Sequence, residues 1–164
     1  HIDSQSCERF SEYIMLILIL TAFLLIAVTI VIHAFGTMTW LRYLLARNTS
    51  ADGRIRPAKV LRVLISTALV LITLHIIEIL VWALAYIMVL PDGELQSLES
   101  AFYFSAVTFT TLGYGDITLS SDWRILSGLQ AIDGILLIGW TTAFLFAVLQ
   151  RAWVYPGDNK KPQK

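Results

Sequence analysis

The chain has 164 residues, 57% of them hydrophobic and 15% charged, with a mean hydropathy of +0.71. Soluble domains carry a charged share nearer one quarter, so a bilayer is the indicated solvent. Twelve Lys and Arg offset twelve Asp and Glu, and a net charge of zero gives no basis for nucleic-acid binding.

Three stretches are long and apolar enough to span a bilayer core of ~30 Å, which takes about 20 helical residues. The first is Tyr13–Phe35, with an interfacial extension past Gly36 in which Trp40, Arg42, Tyr43 and Arg47 suit a headgroup zone. The second follows Pro57, runs Val60–Leu90 and stops at Pro91-Asp92-Gly93. Next comes Leu98–Phe109, apolar but too short to cross, with Ser97 placed to cap it and Glu99 in its first turn. It reads as a re-entrant helix, Ser97 to Thr110, followed by the extended segment TTLGYGD at 110–116. Irregular backbone at membrane depth survives only when protein buries it or it lines a watery path. The third span is Ile125–Gln150, and a polar tail follows. The expected fold is an all-α membrane protein: three transmembrane helices plus a re-entrant pore helix and filter loop.

Charge orients these elements. The connection between the first two spans carries Arg42, Arg47, Arg54, Arg56, Lys59 and Arg62 against Asp52, and the tail adds Arg151, Lys160, Lys161 and Lys164. Asp3, Glu8 and Glu12 lie at the other end of the first span, and Asp92, Glu94, Glu99, Asp116 and Asp122 surround the short helix and its loop. The positive-inside rule places the basic regions in the cytoplasm, the N-terminus outside and the C-terminus inside. The expected location is the plasma or bacterial inner membrane. Anionic lipid at the Arg42–Arg62 loop is an additional expected partner, beside the plainer role of these charges in setting topology. Cys7 is the sole cysteine, so no internal disulfide forms.

Span, short helix, TTLGYGD, span: this arrangement resembles the pore module of potassium channels, in the small bacterial-type form with one filter per chain. The resemblance covers about Val60 to Arg151. It divides the chain into residues 1–59 (N-terminal end, first span, basic connection), 60–151 (pore module) and 152–164 (tail). It implies that the backbone carbonyls of Thr111, Leu112, Gly113 and Tyr114 replace the hydration shell of a potassium ion, with the Thr111 hydroxyl as the innermost ring. Gly113 and Gly115 permit the left-handed conformations that turn successive carbonyls the same way. Thr110 and Asp116 flank the filter, with Asp116 at the outer mouth. The Tyr114 ring is expected to pack against the short helix and hold the filter at width. Leu112 departs from the commoner valine. One loop per chain requires four chains, hence a homotetramer on a fourfold axis. The last span then lines the inner pore, with Gly134 and Gly139 as hinge candidates and Ile138 and Thr142 facing the cavity. Close helix packing is the other reading of those glycines.

Ionisable residues inside spans are costly and suggest function. His33, His75, Glu78 and Asp133 are such residues. His75 and Glu78 are three apart and share a face. Glu78 lies ~18 Å and Asp133 ~12 Å from the outer ends of their helices, at ~1.5 Å per residue, which places both behind the filter. Two roles are open: a pH sensor, or a hydrogen-bonded network steadying the short helix. The first span has no regular arginine series, so it is no voltage sensor of the usual design. No metal-ligand spacing, nucleophile–base pair or phosphate loop is readable. The expectation is a potassium-selective channel, not an enzyme, with no cofactor beyond the permeant ion. The alternatives are a non-selective cation channel and, in another class, a membrane accessory subunit or enzyme without conductance.

Overall fold

The computed structural model describes residues 4–48, 59–91, 93–95, 97–121 and 123–152, and the side chains of 4–11, 48 and 152 are left aside. Most of the basic connection, Asp92, Asp122 and the tail from Trp153 onward lie outside the described residues. The elements are α1 (Ser4–Asn48), α2 (Val60–Val89), α3 (Leu98–Phe109) and α4 (Arg124–Ala152). Three of them are long and apolar enough to cross a membrane. The protein is an all-α membrane protein.

The expected extension of the first span is part of one unbroken helix. α1 runs 45 residues, about 67 Å at the usual rise. Gly36 does not break it. Its missing Cβ is where Leu74 of α2 seats: a Cβ there would lie 2.5 Å from Leu74 Cδ2. Trp40 fixes the same pair of helices further along by donating from Nε1 to Thr67 Oγ1 at 3.0 Å. The helix therefore packs on its own chain, against α2 and α4.

α2 stops where Pro91 forbids continuation. The extended Leu90 still donates its N–H to the Tyr86 carbonyl. α3 starts on the expected cap, with Ser97 Oγ accepting from the Ser100 N–H at 3.1 Å. It is wedged between α2 and α4 by a buried polar chain. Tyr86 donates to Gln130 Oε1 at 2.7 Å. Gln130 donates to Ser105 Oγ at 2.7 Å, and Ser105 donates to the Ile79 carbonyl at 2.8 Å. A polar group without a partner is expensive at this depth, so each link ties a side chain of one helix to the next. Around it Trp82, Tyr86, Phe104, Leu119 and Leu126 form the main apolar core with Leu18 and Ala22 of α1. The outer faces stay bare and apolar, as at Leu20, Phe23, Leu24, Val31 and Leu69, which suits contact with lipid.

α4 passes through Gly134 and Gly139 without interruption. Gly134 has a definite packing role, the second of the two readings above. A Cβ at this position would overlap the Phe109 carbonyl oxygen at the end of α3. Gly128 has open space around it. Gly134→Ala should therefore cost about 1–3 kcal/mol through overpacking, whereas Gly128→Ala should be neutral or slightly stabilising, since Ala favours helix. Thermal unfolding of the two variants in detergent checks this contrast.

Candidate functional site

The segment after α3 is built from the end of that helix. Thr110 keeps helical angles and its N–H bonds to the Ala106 carbonyl at 3.1 Å. The next three N–H groups then turn back on the same last turn: Thr111 to the Thr108 carbonyl (2.9 Å), Leu112 and Gly113 both to the Val107 carbonyl (3.0 and 3.3 Å). Three residues take left-handed φ in strict alternation: Thr111 (+58°), Gly113 (+56°) and Gly115 (+79°). Alternation of this kind is what lets consecutive carbonyls face one side. Among the described residues, no hydrogen-bond donor reaches a carbonyl between Thr111 and Gly115.

Thr111 was not expected to join the glycines. A β-branched residue in the left-handed region costs on the order of 1–2 kcal/mol, and such strain persists where surroundings impose it. Here the N–H bonds to α3 impose it. Nothing local in the sequence marks the residue, because threonine disfavours that conformation.

Within the single chain the Tyr114 ring is not buried against the short helix. It is 68% exposed, and Leu112 is 55% exposed. Within one chain the loop has α3 behind it and no second wall, so the ring is left largely open. Its outer end is better tethered. Tyr103 of α3 donates to Asp116 Oδ2 at 2.8 Å. The Ser120 N–H donates to Glu94 Oε2 at 3.0 Å, joining the loop's exit to the α2–α3 turn. Ile138 and Thr142 fall on the open side of α4, and Thr142 bonds back to the Ile138 carbonyl at 3.0 Å.

The buried ionisable residues separate into two groups. Glu78 is fully buried between two imidazoles. His33 Nδ1 lies 2.8 Å from its Oε1, and His75 Nδ1 lies 2.8 Å from its Oε2. The rings stack at 5.4 Å between centroids. Thr141 of α4 closes the far side, with Oγ1 2.9 Å from His75 Nε2 and 3.4 Å from His33 Nε2. Asp133 is not in this set. Its Oδ2 accepts from Thr29 at 2.8 Å and from Trp82 Nε1 at 2.9 Å, and its buried Oδ1 has no partner. His75 and Glu78 do share a face, as their spacing indicates. Sequence reasoning missed that His33 completes the pair, that Thr29 and Trp82 serve the Asp133 carboxylate, and that Thr141 serves the two imidazoles. These partners sit on different helices, and sequence spacing carries no signal between them.

Residues 74–151 match a family described as ion channel. The match takes in the second half of α2, all of α3, the TTLGYGD segment and α4 up to Arg151. The segment is of the potassium-channel pore superfamily. A relative is the potassium voltage-gated channel protein shk-1 of Caenorhabditis elegans, 33% identical over 58 residues. That alignment covers 35% of this chain and 11% of the relative, so the chain matches about a tenth of that protein's length. No solved structure gives a significant match. α1 lies wholly outside the matched segment, yet both buried carboxylates of the module take partners from it.

Hydrogen bonds from the Ser120 hydroxyl and backbone N–H hold the Glu94 carboxyl below the ordinary glutamate range. A group with a lowered folded pKa contributes its contact fully above the unfolded pKa and loses it as pH falls through the lowered value. The protection factor of the Ser120 amide should accordingly drop only at pH below the ordinary glutamate range. In Glu94→Gln that protection should be weak already at neutral pH and insensitive to pH. Amide hydrogen exchange measures both.

Proposed function

We propose that the chain conducts potassium selectively and passively across a membrane, through a filter formed by Thr111, Leu112, Gly113, Tyr114 and Gly115 of four identical chains. The observation that carries this reading is the alternation of left-handed φ at 111, 113 and 115, with the N–H groups of 111–113 bonded to α3. Backbone amides spent on one side leave carbonyl oxygens for the other, and rings of such carbonyls take the place of potassium's water. A single chain provides one quarter of each ring. The exposure of Leu112 and Tyr114 fits a surface that neighbouring chains cover.

Asp116 anchors the outer mouth through Tyr103. Ile138 and Thr142 face the inner cavity, and Gly139, with no neighbour near a Cβ in the single chain, is the freer hinge position. The C-terminal end of α3 directs its negative dipole toward the cavity, which favours a cation there. Basic regions in the cytoplasm set the N-terminus outside and the C-terminus inside. At the cytoplasmic end of α1 and α2, Arg47, Lys59 and Arg62 line one pocket with Trp40 and Tyr43, and this suits an anionic lipid headgroup.

The test is flux from liposomes holding the purified chain under a potassium gradient. Potassium should pass in strong preference to sodium, and barium should block it. A Cβ at Gly113 meets open space within the chain, so Gly113→Ala tests the backbone's need for positive φ and should reduce flux to that of empty liposomes. Equal sodium flux would replace this reading with a non-selective cation channel. No flux from folded tetramer would favour an accessory subunit.

A further inference from the structure

The buried cluster of His33, His75 and Glu78 has no part in the filter. It is the one place among the described residues where three side chains of metal-ligating type converge, with ligand atoms all within 4.8 Å of one another. We propose that it is a binding site for a divalent transition cation of the zinc class, which fastens α1 to the pore module.

The donor set argues for this chemistry. Two imidazoles and one carboxylate suit zinc and its neighbours, whereas potassium, magnesium and calcium take oxygen ligands. Both rings turn Nδ1 toward the Glu78 carboxylate, one to each oxygen. Both turn Nε2 toward Thr141 Oγ1. That division is the one metal-ligating histidines adopt, one nitrogen on the metal and the other N–H donated to an outer partner. A threonine oxygen has two lone pairs and serves both rings. Around a tetrahedral cation at ~2.0–2.2 Å, neighbouring ligand atoms lie ~3.3–3.6 Å apart. The widest pair here, within 4.8 Å, has to close by about 1.5 Å at most, a shift that side-chain rotation supplies.

Proton counting points the same way. If both imidazoles are neutral and each donates from Nδ1 to Glu78, each Nε2 is a bare acceptor. Thr141 has one hydrogen to offer and cannot satisfy both. The cluster needs added positive charge. Glu78 is a fully buried carboxylate with no Lys or Arg salt bridge among the described residues. A cation between it and the two rings offsets a charge that is expensive when unpaired. The groups facing Glu78 are His33 from α1 and His75 from α2; Thr141 of α4 meets the far nitrogens of both rings, and Asp133 lies beyond on α4. His75, with its side chain 15% exposed, is the open edge of the site.

This inference does not depend on conduction, and its readout is metal uptake. The purified chain, stripped with chelator and held in nanodiscs, is titrated with Co2+, followed by its visible absorption and by elemental analysis. The expected result is saturable uptake of one cobalt per chain, displaced by zinc. Glu78→Gln and His33→Ala should abolish saturable uptake. Thr141→Val should keep the stoichiometry and weaken affinity about tenfold to a hundredfold. His1→Ala should change nothing. The wild-type titration needs no variant: if folded, monodisperse chain takes up no cobalt saturably, the proposal is overturned and the cluster is bridged by protons alone. Equal uptake by folded Glu78→Gln would overturn it as well.

Discussion

Two carboxylates at the centre of a membrane bundle are the constraint on which the rest of the packing turns. An anion in the low-dielectric interior is tolerated only with close compensation. Glu78 sits on α2 and Asp133 on α4, the two long helices that flank α3. Neither finds its donors within the matched pore segment alone. Glu78 takes His33 and Asp133 takes Thr29, both from α1 and one helical turn apart. This accounts for a feature that apolar packing by itself leaves open, namely why α1 binds in one register. A slide along α2 by one turn would take the α1 partner from each carboxylate at once, leaving Glu78 only His75 and Asp133 only Trp82. Leu74 against Gly36 and Trp40 against Thr67 then continue the same register toward the other end.

From that fixed bundle the support passes to α3 and onward to the loop. The Tyr86–Gln130–Ser105–Ile79 chain holds the middle of α3 against both neighbours. Phe109 at its end rests on Gly134, where any side chain would push it away. A left-handed threonine is strained, and strain persists only when its surroundings are stiff. The last turn of α3 supplies three carbonyls that bind the N–H groups of Thr110 to Gly113. The loop is thus as well placed as the helix it grows from, and Tyr103–Asp116 and Ser120–Glu94 secure its far end.

Much of this was legible in the sequence, and the reasons are physical. Span lengths, the Pro91 stop and the Ser97 cap depend on local composition, so the limits of α2, α3 and α4 were readable to within a residue or two. The glycines at 113 and 115 announce their positive φ because few other residues accept it. Thr111 was illegible because its conformation is imposed from outside, by carbonyls of α3. The continuity of α1 through Gly36 was half legible: one glycine lowers helix propensity by only ~1 kcal/mol, too little to stop a long apolar helix. The pairing of His33 with Glu78 was not legible at all. It spans 45 positions, and only the tertiary register of α1 brings the two together. The same distance in sequence hid a three-residue ligand set that no spacing rule describes.

What one chain leaves undone is also informative. Its polar interior is nearly closed, with one buried carboxylate oxygen unpartnered among the described side chains. Its filter-like loop, by contrast, is open along its whole length, Leu112 and Tyr114 included. The apolar residues of α4 on the same side, Ile135 and Ile138 among them, are open too. Lipid can cover an apolar helix face, but it offers no hydrogen bond to the unpaired carbonyls of a loop at membrane depth. Water, ions or other chains must satisfy them. The open surface is therefore of two kinds, an apolar outside suited to lipid and a loop-bearing side that lipid cannot stabilise, and the second is where the chain needs company.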